Sequence, residues 1–327
     1  MFKKISVWFG LIAMLQADPY TLGHGVHIND RLNVGGYFAT ELQIKDGQKT
    51  FTLDDIAVMA YGDINPMFSY LAEVEAIGFY NKNISNGDES GSQKFHVERL
   101  YGDLWLSDSF NLRLGKQITP IGYWNMEPIN VLRDMSSNPL YSYLLFPKFI
   151  TGIDINGYIP WSNGIRYHLF GQKNHDLDEG YINLPNTHFF GLSLEKEFSN
   201  EYNYGGSIGE YITLTSQRTR YFQANAKYDD STWQLMSEIL MAQSEYKGSD
   251  NDYTLSGYIQ GMVRYTPEHA FLGRYEHFND HYSDHEDNIG ALGYSYRPLY
   301  PVSLKGEYQW HSLNNENRAL FSFSVLF

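Results

Sequence analysis

Residues 318–327 read RALFSFSVLF. Taking every second residue puts Phe321, Phe323, Val325 and Phe327 on one face, with Ser322 and Ser324 among those on the other. A period of two is the mark of a strand. Aromatics along one face of a strand need cover, either from a second protein layer or from a medium that is itself apolar. The rest of the chain says which.

The chain has 327 residues and is polar on average, with a mean hydropathy of −0.41, yet it carries 27 Tyr and 20 Phe. That mixture suits strands with one greasy and one wet face. A net charge of −14 argues against nucleic acid, whose phosphates it would repel. The absence of cysteine excludes disulfides, thiolate metal sites and Cys nucleophiles. The opening MFKKISVWFGLIAMLQADPY has Lys3 and Lys4, an apolar run from Ile5 to Leu15 and a small residue at Ala17. It predicts a signal peptide over 1–17. The run is too short for a spanning helix, which needs ~20 apolar residues. The remainder, 18–327, reads as a single domain.

Past the leader the chain consists of alternating runs that break at Gly, Pro, Asn, Asp or Ser: 30–44, 51–62, 67–79, 94–106, 109–117, 149–159, 164–172, 187–198, 201–213, 219–228, 232–246, 253–265, 269–278, 288–297, 302–311 and 318–327. The connections alternate too. DINP, SDS, PWSN, SN, DDST, TPE and RPLYP are tight turns. Between them fall NKNISNGDESGSQ, the stretch 118–148, NHDLDEGYINLPN and NDHYSDHED. Short turns on one side and longer loops on the other are the rhythm of outer-membrane barrels. No proline interrupts a run, as strand ladders require. Trp105, Trp161 and Trp233 sit beside three short turns, where an interfacial aromatic girdle belongs.

The expected fold is therefore all-β, a closed antiparallel transmembrane β-barrel of about sixteen strands. Lipid covers the aromatic face, and closure removes the sheet edges. The place implied is the Gram-negative outer membrane, with lipid and lipopolysaccharide as surroundings. The strand ending at Phe327 is the segment the barrel insertion machinery would read.

If the greasy phase faces lipid, the other phase lines a lumen. It would carry Arg113, Arg166, Arg264, Arg274 and Lys305 as bases, and Glu73, Glu75, Glu276 and Glu307 as acids. Sixteen strands enclose more space than side chains usually fill, so a hydrated pore with transverse fields is expected. The stretch 118–148, ITPIGYWNMEPINVLRDMSSNPLYSYLLFPK, is the third outer loop in this count, and apolar enough to need cover. Folded inward it forms a constriction carrying Pro120, Gly122, Glu127, Arg133, Asp134 and Lys148.

The segment LRLGKQITPIGYWN, 112–125, resembles the phosphate-selective porin O/P family of Gram-negative bacteria through Arg113, Gly115, Lys116, Pro120 and Gly122. The resemblance implies a trimer of sixteen-stranded barrels with an inward third loop, and an anion or phosphate preference. The charges themselves, Arg133 and Lys148 against Glu127 and Asp134 in the loop, read as a general pore for small hydrophilic solutes with weak charge preference. No cofactor is called for.

Other readings carry less. His311 and Ser312 in WHSLNN are adjacent, so a strand points them to opposite faces, which speaks against a Ser/His enzyme. HFNDHYSDHED, 277–287, spaces His277, His281 and His285 by four among carboxylates, but without a helical stripe it reads as a solvated acidic loop before a metal site. An adhesin would be expected to elaborate its outer loops further.

Overall fold

The structure is a computed structural model. It describes residues 22–245 apart from 93 and 180, and 252–327 apart from 281–284 and 314–315. The expected signal peptide and the middle of the 277–287 segment lie outside the described residues.

Sixteen antiparallel strands close into one barrel. They are β1 (Leu32–Lys45), β2 (Gln48–Asn65), β3 (Phe68–Ala76), β4 (His96–Ser107), β5 (Phe110–Ile118), β6 (Phe149–Tyr158), β7 (Ile165–Gln172) and β8 (Asn186–Glu197). Then follow β9 (Tyr202–Thr213), β10 (Arg218–Asp229), β11 (Trp233–Glu245), β12 (Asp252–Thr266), β13 (His269–Asp280), β14 (His285–Leu299), β15 (Val302–His311) and β16 (Arg318–Leu326). Each strand pairs with the next, and β16 returns to β1 with Leu326 opposite Tyr37 and Arg318 opposite Lys45. Two further bonds of 2.8 Å, exchanged between the backbones of Gly36 and Phe327, extend that seam.

The strand phases agree with the alternation. Leu304, Tyr308, Trp310, Phe321 and Phe323 are exposed, while Lys305, Glu307, Gln309, Ser322 and Ser324 are buried. Trp105, Trp161 and Trp233 are exposed at the tight-turn end.

The rhythm of the connections is less regular than expected. At the loop end, 77–95, 119–148 and 173–185 are long, but β1 and β2 run on to a two-residue hairpin at 46–47. Asp46 and Gly47 both take positive φ there (50° and 77°), the backbone a tight hairpin favours. Likewise β13 continues to Asp280 and β14 begins at His285, so the described residues of NDHYSDHED are strand.

A second departure is chemical. The inner face of β7–β13 is not polar throughout: Phe170, Phe189, Tyr211, Tyr221, Leu240, Met262, Leu272 and Phe278 are buried there. They form one cluster with Ile121, Trp124, Tyr141, Leu145 and Phe146 of the 119–148 segment. Water would penalise that wall if it were bare; the segment covers it.

Candidate functional site

The segment 119–148 begins at a pinched base. Thr119 N donates to Lys148 O (2.9 Å) and Thr119 Oγ1 to Pro147 O (2.6 Å). Beyond the base, three wall carboxylates on alternate strands hold its backbone. Glu238 of β11 accepts from Tyr123 N (3.1 Å), Trp124 N (2.9 Å) and the Tyr141 hydroxyl, and also from Tyr258 Oη (2.5 Å). Glu276 of β13 accepts from Leu140 N. Glu307 of β15 accepts from Ser136 N (3.0 Å), Ser137 N (3.2 Å) and the Ser137 hydroxyl. Cations supply the complementary bonds. Lys305 Nζ donates to Asn130 O (2.6 Å), Arg274 to Ser137 O (3.0 Å), and Arg297 to the carbonyls of Val131, Leu132 and Arg133 and to Asp134. Irregular backbone cannot satisfy itself, so buried donors and acceptors on the wall must.

Gly122 is where this docking demands glycine. Its φ is 67°, and a Cβ would overlap the Glu238 carboxylate and the Tyr141 hydroxyl. Gly115 has a similar reason, since a Cβ there would overlap Leu100 O across the ladder. Lys116, fully buried, pairs with Asp176 at 2.8 Å and so links the base to the 173–185 connection.

The residues read as lumen-facing thus separate into groups. Arg274, Lys305, Glu276 and Glu307 are all buried under the segment, at 5% exposure or less. Glu73 is engaged by Arg99, and Glu75 by the hydroxyls of Tyr37 and Tyr181. Arg113 and exposed Arg166 open with His168 onto a cavity of 450 Å³ at the tight-turn end. Arg113 is held bidentately by Asp103 (2.7 and 2.9 Å) and lies 4.0 Å over the Tyr101 ring. Arg264 pairs with Asp229 at 2.8 Å and borders a second cavity with Glu127 and Asp134. Pro120 is buried at the base. Burial pushes the Glu127 carboxyl up, and pushes the Lys148 ammonium down against the pull of Glu98.

Four acidic residues were not anticipated as site residues: Glu41, Asp54, Asp55 and Glu98. They line a third cavity, 270 Å³, with Glu75, and face Arg133, Lys148 and Arg318. Two β-bulges put most of them there. Phe38 pairs with Ile56 and Thr40 with Leu53, so consecutive Asp54 and Asp55 together oppose Ala39. On β4, Glu73 pairs with Arg99 and Val74 with Val97, leaving Glu98 as the extra residue. A bulge re-aims side chains that a regular strand would point to opposite faces. The signal is in the sequence: in FTLDDIAV the apolar phase slips between Leu53 and Ile56, and in VERL it slips between Val97 and Leu100.

His311 and Ser312 meet one carboxylate. Asp287 takes His311 Nδ1 at 2.6 Å and Ser312 Oγ at 2.9 Å, while His311 Nε2 faces Gln309 Oε1 at 3.3 Å. The hydroxyl is therefore bonded to the acid and not to the imidazole, unlike the arrangement that activates a serine. In the 277–287 segment, His277 Nδ1 lies 3.0 Å from Asn288 Oδ1. Among the described residues no group of three or more His, Asp or Glu is placed to hold a metal ion.

No protein-family model and no curated protein matches the chain. Solved structures do. The trimer form of OmpT, an outer membrane protein of Vibrio cholerae, has a TM-score of 0.66 at 11% identity, covering 90% of this chain and 99% of that one. The anion-selective porin from Comamonas acidovorans has a TM-score of 0.66 at 10% identity, with the same coverage. The outer membrane channel DcaP of Acinetobacter baumannii has a TM-score of 0.62 at 10% identity, covering 90% and 97%. At such identities the likeness is one of fold: the chain is a β-barrel of the outer-membrane porin type.

Proposed function

We propose that this protein is an outer-membrane porin that lets small hydrophilic solutes and ions diffuse passively. In this reading the segment 119–148 folds inward as the constriction, three barrels form a homotrimer, and lipid and lipopolysaccharide surround them. The insertion machinery reads the strand that ends at Phe327. The observation that carries the proposal is the docking of one long segment, by its backbone, onto Glu238, Glu276 and Glu307. Such docking narrows a wide barrel, and water-sized space lined by charged groups is left at both ends. The porin and the channel whose folds it resembles support the same reading, and the trimer form of OmpT supports the trimer.

Conductance of the purified protein in planar bilayers tests it. Stepwise current increments with ohmic behaviour are expected. Insertion without conductance would mean a sealed, structural barrel. Anion or phosphate preference is the second reading, favoured by Arg113 and Arg166 on the 450 Å³ cavity. Against it, Asp103 already neutralises Arg113. A phosphate site needs several donors at one height to replace lost water.

A further inference from the structure

The 270 Å³ cavity has charges of opposite sign on its two sides. Five carboxylates, Glu41, Asp54, Asp55, Glu75 and Glu98, belong to the wall, with Arg318 of β16 as its single base; Arg133 and Lys148 belong to the 119–148 segment. Among the described residues, none of Asp54, Asp55 and Glu98 has a cation within ion-pair distance. Glu98 is 2% exposed and bonded to the Tyr37 hydroxyl at 2.9 Å. Across from them, Arg133 is 9% exposed, and among the described residues its guanidinium bonds to neutral oxygens, Glu127 O and Asn138 Oδ1. Opposite charges this close together usually pair directly, since burying them alone is unfavourable. Here they stay apart. The acids are held on their side by two separate bulges, and Arg133 on its side by the segment's own carbonyl and by the Trp124 ring 5.3 Å away.

We propose that this cavity is a selective passage for small dipolar solutes of the amino-acid type, with the ammonium passing along Asp54, Asp55 and Glu98 and the carboxylate along Arg133 and Lys148. The proposal rests on the channel reading and deepens it. A simple anion meets the acidic wall and a simple cation meets the basic segment, so each gains on one side and loses on the other. A molecule carrying both charges gains on both sides when it enters aligned. Between low-dielectric walls that alignment is favoured more than in water. The volume suits a single small molecule.

The test compares β-alanine with propionamide, an uncharged molecule of similar size, by swelling of liposomes that contain the purified full chain. Bilayer conductance is recorded on the same preparations. Wild type should admit β-alanine several-fold faster than propionamide. The isosteric pair Asp54→Asn with Asp55→Asn, and separately Lys148→Gln, should each bring the ratio of β-alanine to propionamide entry close to one. Glu98→Gln, at the second bulge, should lower the ratio in part and guards against misfolding of the double variant. Equal entry of both solutes in wild type, or a ratio that survives the Asp54/Asp55 change, overturns the proposal and leaves the channel reading intact. A shift in ion reversal potential with no change in the ratio overturns it as well, since the wall would then read only simple cations. A barrel that inserts but never conducts overturns both readings.

Discussion

Glu238 collects five hydrogen bonds. Two backbone amides, two tyrosine hydroxyls and the Gln223 amide (3.3 Å) converge on one buried carboxylate. Glu238→Ala leaves those donors unpaired in an apolar cluster, which should cost ~2–4 kcal/mol in denaturant unfolding. The same change should free the 119–148 segment and give larger, noisier channel currents. Unchanged stability with unchanged current would show that the segment is held elsewhere. Arg113 is a different kind of residue, because its charge is already balanced by Asp103. Arg113→Ala should therefore shift reversal potential toward cations by releasing Asp103, without abolishing conductance. Adding Asp103→Asn should reverse most of the shift. If Arg113→Ala leaves selectivity unchanged, Arg113 lies off the ion path.

Strands reveal themselves by alternation, and so do their irregularities when the alternation is followed residue by residue. The sixteen runs and their facing sides were legible because one side meets an apolar medium along its whole length. Strand ends at the loop side were less so: the polar residues of β13 and β14 continue the ladder there, where composition alone suggests a loop. Asp54 and Asp55 were missed because two adjacent carboxylates look like one inward and one outward residue unless the phase slip beside them is noticed. That slip makes a test. Removing Asp55 should leave a continuous period of two, so the deleted chain should still assemble, with a yield within ~2-fold of wild type. Removing Met59, in a regular part of the same strand, moves every following side chain to the wrong face and should reduce assembly ~10-fold or more. Heat-modifiable migration on gels reports both. Equal failure of the two would mean that Asp54 and Asp55 are not a removable insertion.

At the scale of the whole molecule, topology was readable from connection lengths and the fate of the lumen was not. Which inward carboxylates remain free depends on what the 119–148 segment covers, and that is decided by contacts between residues such as Ser136 and Glu307, 171 positions apart. Orientation follows from the long connections. Protease added to intact cells should cut within 77–95 or 173–185 and spare 66–67 and 108–109; the opposite pattern would invert the barrel. The seam between β16 and β1 has a kinetic meaning of its own. It joins residues as far apart as Gly36 and Phe327, 291 positions in sequence. Closing so long a loop is the slowest kind of native contact to find. Until it forms, the nascent sheet carries two raw edges able to recruit other chains. Assembly is therefore a race between sealing the seam and aggregation.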